Sequence, residues 1–200
     1  MKINHFARLA AVLLAVLLPL ASKATIYVFD ANLDGPSESP PNGSPGTGFA
    51  EVTFDTVLNT MEVNVSFSGL LGTTTASHIH AATAVPGTGT AGVATTTPTF
   101  TGFPLGVTSG TYDHIFDMTQ TSSYNAPFLT GNGGTPASAE AALLADIFAG
   151  EAYLNIHTTV VPGGEIRGFL EPVPEPGTCA LLVLGLAAPA ILRFRNRRQR

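Results

Sequence analysis

The sequence predicts an all-β fold, an antiparallel, Greek-key-like β-sandwich with one short helix, and three observations carry that expectation. Apolar and polar residues alternate with a period of two in five separate stretches. Glycine, proline, asparagine and threonine fill the gaps between those stretches, as turns require. Only one segment, Thr135 to Gly150, changes to helical spacing. Many strands with a single helix bury their apolar faces best by stacking sheet on sheet.

Taken in order, the chain opens with a basic and then apolar leader. Lys2 and Arg8 precede an apolar run from Leu9 to Leu20, and small residues at Ser22 and Ala24 fit signal-peptidase cleavage after Ala24. The run is short for a membrane span, so residues 1–24 read as a cleaved signal peptide rather than an anchor. In "YVFDANL", Tyr27, Phe29, Ala31 and Leu33 then share one face of a strand. "ESPP", Glu38 to Pro41, reads as an edge or turn device, because proline cannot donate within a central strand. In "MEVNVSFSGL", Met61, Val63, Val65 and Phe67 face one way, with Glu62, Asn64, Ser66 and Ser68 opposite.

The Gly-, Thr- and Pro-rich stretch from Thr83 to Gly110 reads as short strands joined by loops. Within it, "GTGTAG" (Gly87 to Gly92) satisfies the spacing of a dinucleotide-binding turn. It follows Pro86 and precedes "VATTTPTF", which is no helix, so it is a loop. "TYDHIFDM" resumes the alternation and places His114 with Tyr112, Phe116 and Met118, as a core residue. Thr135 can cap the helix, Pro136 suits its first turn, Leu143, Leu144, Ile147 and Phe148 form its stripe, and Gly150 stops it. "YLNIHT" and "EIRGFL" close the set of strands.

Between leader and tail lie about 148 residues, a size suited to one domain with its own core. From Thr25 to Leu170 there is one arginine against twelve acids, a net charge of −11. Such a surface repels phosphate backbones and argues against nucleic acid as a partner; it suits cations or neutral glycans. The single cysteine, Cys179, falls in the tail, so the domain has neither a disulfide nor a thiol nucleophile. No G-x-S-x-G elbow is present, and no enzymatic activity is expected.

Chemistry concentrates in the histidines. In "TASHIHAAT", His78 and His80 project from the same strand face, and His157 shares a face with Tyr153 and Asn155. Three imidazoles, completed by water or Glu165, would make a copper or zinc site. The competing expectation is that the same rings hydrogen-bond to backbone and carboxylates at one end of the sandwich. The H-x-H pair is similar to that of Cu/Zn superoxide dismutase, but no matching ligands for a second metal occur. Arg167, the domain's lone cation, is expected to form a structural ion pair with Glu38, Glu165 or another carboxylate.

Two resemblances extend this reading. "LDGPSESPP" (33–41), "GTGFAEVTFD" (46–55), "VSFSGLLG" (65–72), "ASHIHAA" (76–82) and "YLNIHTTVVPGGEIRGFL" (153–170) occur in the order and spacing of a CHRD domain, the chordin-type module, assigned to residues 25–172. Ala81 and Phe169 depart from that family's usual glycine and glutamine. The resemblance implies a fold and an extracellular setting, a binding or structural module rather than a named activity. The tail, 173–200, resembles a PEP-CTERM sorting signal. Val173, Pro174, Glu175 and Pro176 form the motif, Cys179 to Leu192 the 14-residue apolar segment, and five arginines follow. That resemblance implies a short transmembrane helix with cytoplasmic arginines, processing by an exosortase, and final placement on the surface or in the exopolysaccharide of a Gram-negative bacterium.

Overall fold

A computed structural model describes residues 26–174. The leader, Glu175 and Pro176 of the sorting motif, the apolar run and the arginines lie outside the described residues. Eight strands form one antiparallel hydrogen-bonded sheet: β1 (Ile26–Asp34), β2 (Thr47–Asp55), β3 (Thr60–Ser68), β4 (Thr74–His80), β5 (Gly110–Asp117), β6 (Tyr153–Thr158), β7 (Ile166–Phe169) and β8 (Glu171–Pro172). The spatial order is β4-β6-β7-β1-β2-β3-β5, with β8 beside β1. β7 and β1 share a single pair, Arg167 with Asp34. The sheet therefore divides at a narrow seam into a layer of β4, β6 and β7 and a layer of β1, β2, β3 and β5.

Alternation decides which side chains meet. Phe29, Ala31 and Leu33 of β1, Val52 and Phe54 of β2, and Met61, Val63, Val65 and Phe67 of β3 join Ile79, Leu154, Ile156 and Ile166 of the other layer in one core. At about 25 cal/mol per Å² of buried apolar surface, this shared core is the main stabilising term in a domain without disulfides. His114 sits on the core face of β5 but only half-buried, its ring against Phe116 at 4.6 Å, because β5 is an edge strand.

Of the stretch from Thr83 to Gly110, only Gly110, where β5 begins, lies in a regular strand. The strands expected there reduce to single bridges, at His80 with Val93, Val85 with Thr88 and Thr95 with Tyr124. Pro86, Pro98 and Pro104 supply no donor, and Gly87, Gly89, Gly102 and Gly106 adopt positive φ, so no extended run survives. The segment still covers the open edge of β4. Ala94 and Phe100 N–H groups donate to the Ile79 and Ser77 carbonyls, and Thr74 exchanges bonds with Gly106 and Val107.

The expected helix is present as α2 (Pro136–Phe148), preceded by a six-residue helix, α1 (Ala126–Gly131). Thr135 and Ser138 form a reciprocal capping box at the start of α2. Leu143 and Ile147 pack into the core, whereas Phe148 stays 49% exposed and sets its ring edge-on to Tyr27 and Phe29. Gly150, at φ +72°, takes the left-handed turn beyond the helix.

Candidate metal centre

The smaller layer carries a row pattern on its outer face. Across β4, β6 and β7, His78 stands opposite Asn155, which stands opposite Arg167; His80 stands opposite Tyr153, which stands opposite Phe169. His157 of β6 pairs with Ala76. An outward face is ordinarily solvated, but here His78, His80, Asn155 and Arg167 are all under 10% exposed. Polar loops cover them: residues 35–45 on the Arg167 side and residues 81–104 on the histidine side.

Each histidine is held through one nitrogen by a backbone carbonyl. His78 Nε2 faces Pro98 O at 2.6 Å, His80 Nδ1 faces Ala91 O at 3.0 Å, and His157 Nδ1 faces Pro162 O at 2.9 Å. A carbonyl can only accept, so each of those nitrogens carries the proton. The second nitrogen of each ring, His78 Nδ1, His80 Nε2 and His157 Nε2, is then an unprotonated acceptor, buried and without a partner. One ring nitrogen from each of the three residues lies within 4.8 Å of the others, and the ring centroids stand 5.1 to 5.7 Å apart. His80 is also stacked flat on Tyr153, ring centroids 4.9 Å apart, while the Tyr153 hydroxyl accepts from the Ala91 N–H.

Electrostatics keep the cluster neutral. Burial lowers the pKa of His78, with the Pro98 carbonyl opposing and His157 adding to the shift. Burial pushes His80 down to about 4, against the opposing effect of its bond to Ala91 and with the neighbouring rings and Arg167 contributing. Burial lowers His157 likewise, against its bond to Pro162. At neutral pH all three rings offer lone pairs rather than protons.

Glu165 does not join them. Its carboxylate is fully buried on the other side of the layer, where it accepts from Ser44 Oγ and Thr158 Oγ1, both at 2.6 Å, and from the Leu71 and Gly72 N–H groups. Burial alone would raise its pKa, but the four donors outweigh it and hold the group below the usual carboxylate value. The expectation of Glu165 as a fourth ligand is corrected by this placement: Glu165 precedes the first residue of β7 and so escapes the strand's alternation, and a carboxylate with four protein donors has no acceptor capacity to spare.

Arg167 pairs with Glu38, as one of its expected partners, at 3.8 Å between Nε and Oε2. Nε also donates to Ser37 O and Nη1 donates to Gly89 O at 2.8 Å, with the guanidinium 4.5 Å above the Tyr153 ring. Burial raises the Glu38 pKa to about 7, more than Arg167 and the Ser39 N–H lower it. A Cβ added to Gly164, itself at φ +131°, would collide with both the Asn155 amide and Glu38 Oε1, so these two groups close on one point. Of the seven buried side-chain polar atoms without a partner among the described residues, five belong to this face: Glu38 Oε1, Asn155 Oδ1 and the three ring nitrogens. The alternation in "YLNIHT" places Tyr153 and Asn155 beside His157, but nothing in it signals the stacking on His80 or the unpartnered amide.

The remaining motif is where spacing put it: "GTGTAG" lies in a loop, with no helix after it. Residues 29–170 match the family model of the CHRD domain. No curated protein matches the chain, and no solved structure does.

Proposed function

Because the chain belongs to the CHRD family, we propose that it is a non-enzymatic binding module held outside the cytoplasm, and that its ligand is a transition-metal ion, zinc or copper. One observation carries the metal reading: three imidazoles are gathered so that one nitrogen of each lies within 4.8 Å of the others, and each ring has one nitrogen fixed by a carbonyl and the other buried without a donor. Buried polar atoms are nearly always satisfied, and three adjacent acceptors cannot satisfy one another. A cation satisfies all three. Neutral imidazoles suit zinc and copper, and carbonyl anchoring of the far nitrogen is the usual way to orient such ligands. Three imidazoles binding a metal at about 2.0–2.1 Å leave one tetrahedral position for water. The net charge of −11 between Thr25 and Leu170 favours cation approach.

Display outside the cytoplasm rests on the order of leader, domain and tail. Signal peptidase and, through the PEP-CTERM-like tail, an exosortase are the processing partners this reading requires, with membrane attachment before sorting and extracellular polysaccharide as the final surroundings. A reporter fused after Pro172 should behave as exported; cytoplasmic activity of that fusion would sink the topology. For the metal, calorimetry with Zn(II) and Cu(II) at neutral pH should show one site in the wild type. Replacing His78 and His80 by alanine should abolish it, and His114→Ala should leave it intact. Equal binding by wild type and double mutant refutes the site.

A further inference from the structure

One end of the larger layer carries apolar side chains where turns are ordinarily polar. β2 and β3 are joined by a tight turn in which Asp55 accepts from the Val57 and Leu58 N–H groups at 2.8 and 3.0 Å, and Asn59 adopts φ +52°. The geometry needs Asp55 and Asn59. It does not need Val57 and Leu58, which stand at the tip 53% and 68% exposed. The register pairs Asp55 with Ile26, so this turn extends beyond the first residue of β1, itself 49% exposed. Phe148 lies alongside, against Tyr27, and Val173, bonded through its N–H to the Val28 carbonyl, completes the surface. Five of the eleven exposed large apolar residues among the described residues are gathered at this end.

The described chain both begins and ends here. Ile26 and Pro174 line the same groove, together with Phe148, Pro172 and Val173. Five residues beyond Pro174 the sequence enters its 14-residue apolar run, followed by the arginines. An extended chain covers at most about 3.6 Å per residue, so the start of that run lies within about 18 Å of the groove. We propose that this end, Ile26, Val57, Leu58, Phe148 and Val173, is a membrane-docking surface that rests its apolar tips in the lipid bilayer entered by the tail. The proposal rests on the tail's membrane attachment, and it is independent of the metal. Asp55 and Asp117 occupy the same end through the Asp55–Thr60–Asp117 register, and no basic residue accompanies them among the described residues there. The surface therefore fits zwitterionic rather than anionic headgroups.

The chain contains no tryptophan, which makes the test direct. Full-length protein carrying Leu58→Trp, and separately Ile115→Trp on the exposed face of β5, is reconstituted into phosphatidylcholine vesicles with and without brominated acyl chains. Bromine contact should remove about half or more of the emission in Leu58→Trp and shift it to the blue, as expected for a side chain at the headgroup–acyl boundary, and leave Ile115→Trp unaffected. Flotation of the vesicles reports attachment separately. Flotation without quenching of Leu58→Trp overturns docking while attachment stands; no flotation overturns both. Equal quenching of the two variants, or a blue shift without quenching, overturns it as well, the latter assigning the surface to a second copy or to the chain's own tail.

Discussion

Replacing Arg167 by alanine tests how the covered face is held together, and the expected loss has two separable parts. The side chain is 3% exposed and supplies the Ser37 and Gly89 carbonyls with donors, covers the Tyr153 ring and stands 3.8 Å from Glu38. Removing one partner of a buried pair costs about 3–5 kcal/mol. Glu38 can escape part of that cost by taking up a proton, because burial already holds its pKa near 7. Its folded pKa is raised above the unfolded value of 4.5, so its contribution to stability is full below pH 4.5 and is lost as pH rises through about 7. Without Arg167 the folded pKa rises further. At pH 5 the carboxyl is neutral in both proteins, and the deficit reports lost hydrogen bonds and packing alone. At pH 8.5 the wild type ionises while the variant resists, and each pH unit above 7 adds about 1.4 kcal/mol, or about 2 kcal/mol in all. Urea denaturation of both proteins at pH 5 and 8.5 reads the difference, and a Glu38→Gln background should erase it. An unchanged melting point would show Arg167 to be dispensable; a deficit equal at both pH values would show that Glu38 does not feel it.

The histidine cluster and Glu165 give two further expectations. Because burial depresses the three imidazole pKa values, to about 4 at His80, metal affinity should persist below pH 6.5 and fall only toward the depressed values; zinc or copper titrations between pH 4 and 7 check this, and a loss centred at 6.5 would mean the rings are solvated. Glu165→Gln sets an amide NH₂ against groups that can only donate or prefer to, and should destabilise by about 3 kcal/mol or more. The wild-type carboxylate has a depressed pKa, so its contribution is present above pH 4.5 and is lost as pH falls through the folded value. Thermal melts of the two proteins should therefore converge in acid.

The strands were legible because their burial is one-sided. Met61, Val63, Val65 and Phe67 alternate with solvated partners, and a period of two admits one arrangement in which all four are buried. The same logic weakens on β4 and β6, where both faces are buried and the alternation is between apolar and polar interiors. It fails across Thr83 to Gly110. No local pattern there encodes a contact with β4, because the bonds that fix the segment, such as Phe100 N–H to Ser77 O, join residues far apart in sequence. The short helix α1 has only Asn125 and Pro127 to announce it, too little beside a six-residue length.

For the site, spacing was informative up to the point where the cover mattered. H-x-H on a strand puts two imidazoles on one face whatever the fold, and the antiparallel pairing of β4 with β6 then brings His157 beside them. What spacing could not say is which nitrogen of each ring is free. That choice belongs to Ala91, Pro98 and Pro162, whose carbonyls select the tautomers and come from loops without a recognisable pattern. Glu165 illustrates the converse. Its nearness in motif to His157 suggested a shared site, yet Glu165 lies just before β7, outside that strand's alternation, and turns toward Thr158, which faces opposite to His157 on β6, where Ser44, Leu71 and Gly72 also close around it. Two buried acceptor sets thus sit on opposite sides of one layer. The carboxylate has four protein donors and needs nothing more; the imidazoles have none, and that asymmetry separates a structural group from a binding one.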